Sequence, residues 1–280
     1  MREIVAKKIT QTVRTLCIEA NTNLSEDVLA ALNKALAKEE SSSGQEILKQ
    51  IINNAKVAWR EKMPLCQDTG LAIVFVEIGQ DVHIIGGNLK AAINEGVSSA
   101  YDKGHLRKSV TKDPLKRENT GNNLPAIIHL DIVPGENIRI RLLAKGGGAE
   151  NCSAIKMFNP SSTKEEINSF VLDLIEKNGP NPCPPMIIGI GVGGSFDYAP
   201  LLAKESLMRE LGKPNSDQET AAWENELLEK INATGIGPMG LGGNTTALAV
   251  HIERYPCHIS SLPVAVNIQC HSHRYKEATL

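Results

Sequence analysis

The sequence predicts an α+β fold in which mixed or antiparallel sheets are flanked by helices. The first 60 residues carry apolar side chains at helical spacing, and two later segments, 128–132 and 138–142, alternate apolar and polar residues as strands do. Two uninterrupted apolar runs, 186–192 and 263–269, are typical of buried strands. A chain of 280 residues is long enough for one large domain or two modest ones.

Helical spacing predicts three helices in the first 60 residues. The apolar residues from Ile4 to Cys17 recur at this spacing and place Cys17 on the buried face of the first helix. Ser25 is the predicted N-cap of the second helix, and the break at Ser41–Gly44 precedes the third. No residue in this segment suggests chemistry, so residues 1–60 are expected to be a helical scaffold.

Strand and helix signals then follow one another along the chain. A strand is predicted at 71–78 and a helix from Leu89 to about Asp102. The two alternating segments between 128 and 142 flank the turn Pro134–Asn137, which predicts a β-hairpin. The later part of the chain is predicted to contain a helix capped by Ser162 and Glu165, a strand at 186–192, helices at 197–211 and 217–233, the second capped by Ser216 and Glu219, and strands at 247–253 and 263–269.

Three loops have compositions that suit ligand binding. Residues 104–125 form a long polar loop whose cations can hold a carboxylate, the alternative being a solvated basic loop. Its cations are Arg107, Lys108, Lys112, Lys116 and Arg117. The glycines of Lys145–Asn151 allow backbone amides to approach a ligand, but their spacing matches no nucleotide-binding motif. The glycine-rich segment 235–246 is either a turn or a ligand contact.

The stretch Pro64–Gly70 is the best candidate for a functional site. It places a thiol, an amide and a carboxylate at Cys66, Gln67 and Asp68, on a loop directly before a predicted strand. A thiolate suits zinc or iron-sulfur iron, an amide can hold a substrate oxygen, and a carboxylate can move a proton. The alternative is a buried cysteine beside an aspartate that forms a turn.

The six cysteines are spread along the chain without any CxxC pair. This spacing excludes a zinc ribbon and a bacterial-ferredoxin cluster, and a disulfide framework is not expected in a chain without a secretory signal. Cys66 and Cys183 each precede a predicted strand, and Cys270 ends one. The three thiols are therefore expected to converge at one edge of a sheet. Prolines on both sides of Cys183 fix its backbone, as a positioned ligand requires.

Composition excludes several classes of function. Lysine and arginine number 30 against 32 acidic residues, so the net charge of −2 offers no bulk attraction to nucleic acid or to an anionic membrane. Aromatic residues make up only 4 %, which argues against stacking platforms for single-stranded nucleic acid. No apolar run approaches the roughly 20 residues that span a bilayer. We expect a cytoplasmic protein that binds neither nucleic acid nor membrane.

Several long motifs together carry a family resemblance. They are PLCQDTG, RENTGNN, KGGGAEN, NPCPPMIIGIGVGG, GIGPMGLGGNTTALAVHIE and the region around Cys270. The chain resembles the class I, iron-sulfur fumarate hydratases, specifically the alpha chain of the two-subunit form. The alpha chain of L-tartrate dehydratase shares the CQDTG, CPP and GIGPxGLxGN segments. The AENCS continuation of the glycine-rich loop ranks fumarate first.

The resemblance implies a fold of the class I fumarase N-terminal type, with residues 1–280 as one domain. Residues 61–280 would be its cluster- and substrate-binding part. By motif, a 4Fe-4S cluster would be held by three thiolates and keep one iron open as a Lewis acid for the substrate. The implied ligands are Cys66, Cys183 and Cys270.

The resemblance also assigns roles around a dicarboxylate substrate. Gln67 and Asp68 would lie next to the cluster, and Asp68 would give a proton to the departing hydroxyl. Arg107, Lys145 and the Gly146 backbone would bind a substrate carboxylate. The implied reaction is the reversible hydration of fumarate to (S)-malate, with tartrate dehydration as the nearest alternative. From another class, the chain could be a cluster-bearing binding or redox module without turnover.

A partner is implied as well. In the two-subunit members a beta subunit, equivalent to a C-terminal domain, supplies the general base that takes the carbon-bound proton. A chain that ends at Leu280 is expected to need that subunit, in a heterotetramer of two alpha and two beta chains. The roles of His271 and His273 stay open.

Overall fold

A computed structural model describes all 280 residues, Met1–Leu280. The helices, in chain order, are α1 (Ala6–Thr22), α2 (Glu26–Lys38), α3 (Ser42–Glu61), α4 (Leu89–Lys103), α5 (Gly147–Glu150), α6 (Lys164–Asn178), α7 (Tyr198–Ser206) and α8 (Gln218–Asn232), with a 3-10 helix at Pro238–Gly240. The strands are β1 (Arg2–Val5), β2 (Leu71–Gly79), β3 (Val82–Ile85), β4 (Ile127–Val133), β5 (Ile138–Lys145), β6 (Ala154–Phe158), β7 (Met186–Gly193), β8 (Ala247–Tyr255), β9 (Leu262–Gln269) and β10 (Tyr275–Thr279). The predicted combination of helices with mixed sheets is confirmed.

The chain divides into two compact units. Unit 1 consists of Met1–Ser25, Ala55–Gly147 and Arg274–Leu280, and unit 2 consists of Glu26–Asn54 and Gly148–His273. Each unit has its own four-stranded sheet, in the order β10-β5-β2-β4 for unit 1 and β6-β9-β7-β8 for unit 2. None of the helices is long and apolar enough to cross a lipid bilayer.

The core of unit 1 lies between its sheet and the helices α1 and α4. Strand β2 is central, pairing parallel with β4 and antiparallel with β5. The apolar side chains that meet in this core include Ile9, Val13, Cys17, Val74, Val76, Ile93, Val97, Ile140 and Leu142. Cys17 is therefore buried on the apolar face of α1, as predicted.

The predicted β-hairpin between 128 and 142 is wrong. Strands β4 and β5 are consecutive in the sequence, but β2 lies between them, so Val74 faces Ile128 on one side and Leu142 on the other. Alternation identifies a strand without identifying its partner. Because β2 is buried along most of its length, it takes the central position, whereas β4 is an edge strand with Leu130 55 % exposed.

The prediction that residues 1–60 are entirely helical needs one correction. Helices α1, α2 and α3 are confirmed, but Arg2–Val5 form β1, which pairs in parallel with β3. Ile4 and Val5 fit the helical pattern of α1, yet both are β-branched and find a strand partner about 80 positions away.

Unit 2 positions two of the predicted cysteines. Strand β7 pairs parallel with β8 and antiparallel with β9. Cys183 precedes β7 and Cys270 follows β9, so antiparallel pairing places both at the same edge of this sheet. Cys66 precedes β2 in the other sheet. The prediction that all three lie at one sheet edge is thus wrong for Cys66, because its following strand belongs to unit 1.

Two predicted helix caps are each one residue early. Thr163, not Ser162, begins α6: its hydroxyl accepts from the Glu166 amide (3.3 Å), and the Glu166 carboxylate accepts from the Thr163 amide (2.6 Å). Asp217, not Ser216, caps α8 by accepting from the Thr220 amide (3.0 Å). At both places two adjacent residues can cap, and the sequence pattern does not distinguish them.

Candidate functional site

A cavity of about 710 Å³ in unit 1 brings together four of the residues that were predicted to bind substrate. Gln67, Asp68, Arg107 and Lys145 all line it. Gly146 adjoins its wall, because a Cβ atom at this position would lie 3.3 Å from Asp68 Oδ2. The loop before β2, the polar loop after α4 and the end of β5 thus contribute to one cavity.

The Asp68 side chain is held by backbone amides from two loops. Its Oδ1 accepts from the Gly70 amide (3.0 Å), and its Oδ2 accepts from the Gly147 amide (2.8 Å). The guanidinium of Arg274 donates to the backbone carbonyl of Asp68. Both carboxylate oxygens therefore have fixed directions at the cavity wall, with the Arg274 cation directly behind the loop.

The turn after Asp68 is supported from below by two buried side chains. The Tyr101 hydroxyl lies 2.8 Å from the carbonyl oxygens of both Thr69 and Gly70, and Asn123 Nδ2 donates to the Gly70 carbonyl (3.2 Å). Burial raises the pKa of Tyr101 far above its usual value, so this hydroxyl remains a donor. The Thr69 hydroxyl donates to the Arg107 carbonyl (2.8 Å), which ties the turn to the cation loop.

We expect Gly70→Ala to destabilise unit 1 strongly. Gly70 has φ +73°, and a Cβ atom there would lie 2.5 Å from the Lys145 carbonyl oxygen, which is backbone and has little freedom to move. Left-handed strain costs about 1 kcal/mol and overpacking roughly 1–3 kcal/mol, so the free energy of unfolding should fall by about 3 kcal/mol. Urea denaturation followed by circular dichroism measures this loss.

Gly121→Ala is the matched control for this substitution. Gly121 has a similar φ of +77°, but an added Cβ atom would contact nothing within 4 Å. Only the strain of about 1 kcal/mol should remain. Equal losses for the two variants would show that the approach of Gly70 to Lys145 is unimportant.

The cavity is rich in cations. Arg107 is exposed, whereas Lys145 is only 1 % exposed. Arg117, one of the loop cations that the sequence offered as carboxylate ligands, also lines the cavity, whereas Lys112 and Lys116 of the same loop do not. Three cations around one carboxylate produce a surface that suits an anionic ligand.

Arg274 is a residue of this site that sequence reasoning missed. It is 1 % exposed, contacts the Asp68 backbone, and its guanidinium would lie 2.8 Å from a Cβ atom at Gly146. Its position four residues after Cys270 was the only available signal, and that signal does not connect it to Asp68. Arg274 therefore orients the two loops that carry Asp68 and Gly146.

The loop around Cys183 in unit 2 has a tightly specified backbone. Cys183 has φ +56°, and its amide donates to the Pro180 carbonyl (2.9 Å). The Cys183 carbonyl accepts from the His271 amide (3.3 Å) and lies 2.9 Å from His271 Nδ1. His271 thereby joins the Cys183 loop to the segment that carries Cys270. This contact is a structural role for one of the two histidines that the sequence left open.

The six cysteines fall into different environments. Cys17 and Cys152 are buried, Cys257 is exposed, and the remaining three are half-buried. Burial raises the pKa of the Cys17 thiol to about 12, so this thiol stays protonated. The three half-buried thiols are those of Cys66, Cys183 and Cys270, the predicted ligands.

The donor chemistry of these segments fits an iron-sulfur cluster. Accessible thiols on fixed loops are the ligands that such clusters use. Gln269, next to Cys270, is fully buried, and neither polar atom of its amide has a hydrogen-bond partner, as expected of a group that a bound ligand would satisfy. No group of three His, Cys, Asp or Glu side chains is placed to share a metal ion, so the ligand set stays a prediction.

Comparison with known proteins identifies the family. A family model described as fumarate hydratase (Fumerase) matches residues 10–279, almost the whole chain. The chain belongs to the fumarate hydratase (Fumerase) family. The predicted family resemblance is therefore confirmed.

Two relatives that resemble this chain over most of its length are named for tartrate and not for fumarate. The chain is 46 % identical over 273 residues to a Methanocaldococcus jannaschii protein named "Putative L(+)-tartrate dehydratase subunit alpha", with 95 % of both chains covered. It is 31 % identical over 277 residues to the L(+)-tartrate dehydratase subunit alpha of Escherichia coli K12, with 98 % of this chain and 91 % of that protein covered. These names do not support ranking fumarate above tartrate.

Proposed function

We propose that this fumarate hydratase family member is the alpha subunit of a hydro-lyase that acts on a four-carbon dicarboxylate. The observation that carries the proposal is the cavity of unit 1, in which Asp68 is fixed by two amides among the cations Arg107, Arg117 and Lys145. Cations hold the substrate carboxylates, and a positioned carboxylic acid group handles the proton of the hydroxyl.

Groups that line this cavity would bind the substrate. The Arg107 guanidinium can hold one carboxylate through two parallel hydrogen bonds, and the Lys145 ammonium adds a charge from the buried side. The Gly146 backbone offers an approach without a side chain, and the Gln67 amide can bind a substrate oxygen. These contacts orient the carbon that bears the hydroxyl toward Asp68.

Asp68 moves the proton on the oxygen side of the reaction. In dehydration the C–O bond breaks, and Asp68 gives its proton to the departing hydroxyl, which leaves as water. In hydration Asp68 takes a proton from the incoming water as the C–O bond forms. The amides of Gly70 and Gly147 fix the position of this carboxyl group at the cavity wall.

The proposed cofactor is a 4Fe-4S cluster that Cys66, Cys183 and Cys270 would hold. When bound, such a cluster supplies a Lewis acid for the substrate hydroxyl. The three thiols are half-buried, and the backbone around Cys183 is fixed by Pro180 and His271. The chain would thus contribute the ligands, while the proton transfer belongs to Asp68.

A beta subunit completes the proposed enzyme. Both relatives described above are named as alpha subunits. We propose that the partner supplies the general base that removes the carbon-bound proton, in a complex of two alpha and two beta chains. The alpha chain alone should bind cluster and substrate without turnover.

Fumarate, hydrated to (S)-malate, is the first proposed substrate, because the AENCS continuation of the glycine-rich loop favours it. L(+)-Tartrate is the second, and the names of the relatives favour it. Malate and tartrate, the molecules that the two reactions dehydrate, differ in that tartrate carries a second hydroxyl group. A site that hydrogen-bonds a hydroxyl rejects an analogue without it by large factors, so one substrate should clearly dominate.

An anaerobic assay of the reconstituted alpha and beta chains tests the proposal. We expect turnover of fumarate and malate by the pair, a lower kcat/KM for tartrate, and none by either chain alone. A higher kcat/KM for tartrate than for fumarate and malate would make tartrate the first substrate and fumarate the second. Absence of turnover with all three, in a cluster-replete pair, would instead favour a binding or redox module.

A further inference from the structure

Glu39 is a buried carboxylate in unit 2 that the proposed chemistry does not use. It follows α2 and is only 3 % exposed. The Asn244 amide donates to both of its oxygens (2.8 and 3.0 Å), and the Ser41 amide donates to Oε1 (3.1 Å). These amides let Glu39 join the end of α2 to the glycine-rich segment 235–246.

Burying a charge is costly unless hydrogen bonds compensate it. Burial tends to raise the pKa of Glu39, but the amides of Asn244, Ser41 and Thr245 and the Thr245 hydroxyl outweigh burial and hold the pKa below its usual value. The side chain is therefore an ionised carboxylate among converging donors. Such an arrangement fixes the direction of the segment that provides the amides.

The close approach of this segment depends on glycine. Gly243 has φ +133°, and a Cβ atom there would lie 2.7 Å from Glu39 Oε1. Only a residue without a side chain permits both this backbone conformation and this contact. The glycine-rich segment 235–246 was predicted to be either a turn or a ligand contact. Near its C-terminal end it binds the Glu39 carboxylate of the same chain.

The middle of the segment, at Met239 and Gly240, packs on both sides of Cys183. The Met239 amide donates to the Pro184 carbonyl (2.8 Å), directly after Cys183. Gly240 lies against Pro180, where any Cβ atom would overlap the proline ring. The segment therefore runs from the Glu39 carboxylate to the loop that carries Cys183.

We propose that Glu39 is a positioning residue for Cys183, acting through the segment 235–246. Its charge holds Asn244 and Thr245, and the segment contacts Pro180 and Pro184 on either side of the cysteine. The inference rests on the proposed function in one respect, since Cys183 matters there as a cluster ligand. The contacts themselves predict how accessible the Cys183 thiol is, with or without a cluster.

Glu39→Gln tests the proposal in the full chain. Glutamine keeps the length, but it turns an NH2 group toward amide donors and removes the charge, so the segment should detach. In the cluster-free protein we expect the alkylation rate of Cys183, read by mass spectrometry of its peptide, to rise by roughly tenfold or more. After reconstitution, iron content and cluster absorbance should fall, while alkylation of Cys66 stays unchanged.

Glu224→Gln is the matched control. Glu224 is also a buried carboxylate of unit 2 (6 % exposed), and it accepts from the Ile252 amide (2.7 Å) and pairs with Arg209. This variant should lose stability without a change in Cys183 alkylation. Equal Cys183 alkylation rates in folded Glu39→Gln and wild type would overturn the proposal.

Glu39→Asp keeps the test decisive if Glu39→Gln fails to fold. Aspartate retains the charge but is one methylene shorter, so an intermediate rise in Cys183 alkylation is expected, and an unchanged rate in the folded variant would again contradict the role. If the proposed cluster were wrong, iron would be absent from wild type as well. The alkylation difference would then still report on Glu39.

Discussion

Cys183→Ser is expected to abolish both the iron-sulfur absorbance and the turnover of the reconstituted pair. A serine hydroxyl is a hard, protonated group that replaces a soft thiolate, the ligand type that iron-sulfur clusters require. The backbone at this position is set by the Pro180 carbonyl, by His271 and by the left-handed φ of +56°, none of which involves the sulfur. The variant should therefore fold normally and fail only in binding the cluster. Iron and sulfide analysis and visible absorbance measure the loss.

Two other cysteines provide controls with matched chemistry. Cys257 is exposed and Cys152 is buried, donating to the Gly148 carbonyl (3.3 Å). Serine at either position should leave the cluster in place. Cys66→Ser and Cys270→Ser should repeat the loss seen at Cys183. A complete cluster in Cys183→Ser would contradict the ligand assignment, whatever the activity.

The elements of this fold are largely predictable because their signals are local. Apolar periodicity located α1, the break before Leu89 located α4, and short apolar runs located the strands β2, β7 and β9. Pairing is different, because it depends on partners that are remote in the sequence. Strand β4 pairs with β2 across about 54 positions and not with its neighbour β5. No local pattern distinguishes these two outcomes, because alternation identifies a strand without specifying its partner.

The residues of the candidate site were likewise predictable where the signal is local and not where it depends on strand pairing. Gln67, Asp68 and Arg107 were selected from the residue types of two loops, and the motif resemblance added Lys145 and the roles. The structure places all four around one cavity, although their roles remain predictions. Arg274 contacts Asp68 from 206 positions away, and its backbone carbonyl accepts from Ala144, so its place is fixed by the pairing of β10 with β5. A residue positioned by sheet register is recognised only once that register is known.

Asp68→Asn should reduce turnover by on the order of 100- to 10,000-fold, the usual cost of losing a general acid. Asparagine keeps the size, and its oxygen can still accept from the Gly70 amide. Its NH2 group, however, would face the Gly147 amide in place of Oδ2 and cannot cycle a proton. The variant should assemble its cluster and bind the beta chain, with kcat falling much more than KM rises. Steady-state kinetics on cluster-replete protein measures both.

Asp113→Asn separates the proton-transfer role of Asp68 from its role in the turn. Asp113 lies on the same polar loop as Arg107 and accepts from the Leu115 and Lys116 amides (2.9 and 2.7 Å), but it does not line the cavity. Asparagine is a good turn former, so this variant should retain nearly full turnover. A normal kcat for Asp68→Asn at full cluster content, as expected for Asp113→Asn, would show that Asp68 only stabilises the Gly70 turn. Another residue would then have to be the general acid. A large loss confined to Asp68→Asn, with unchanged thermal stability, would assign the proton to Asp68.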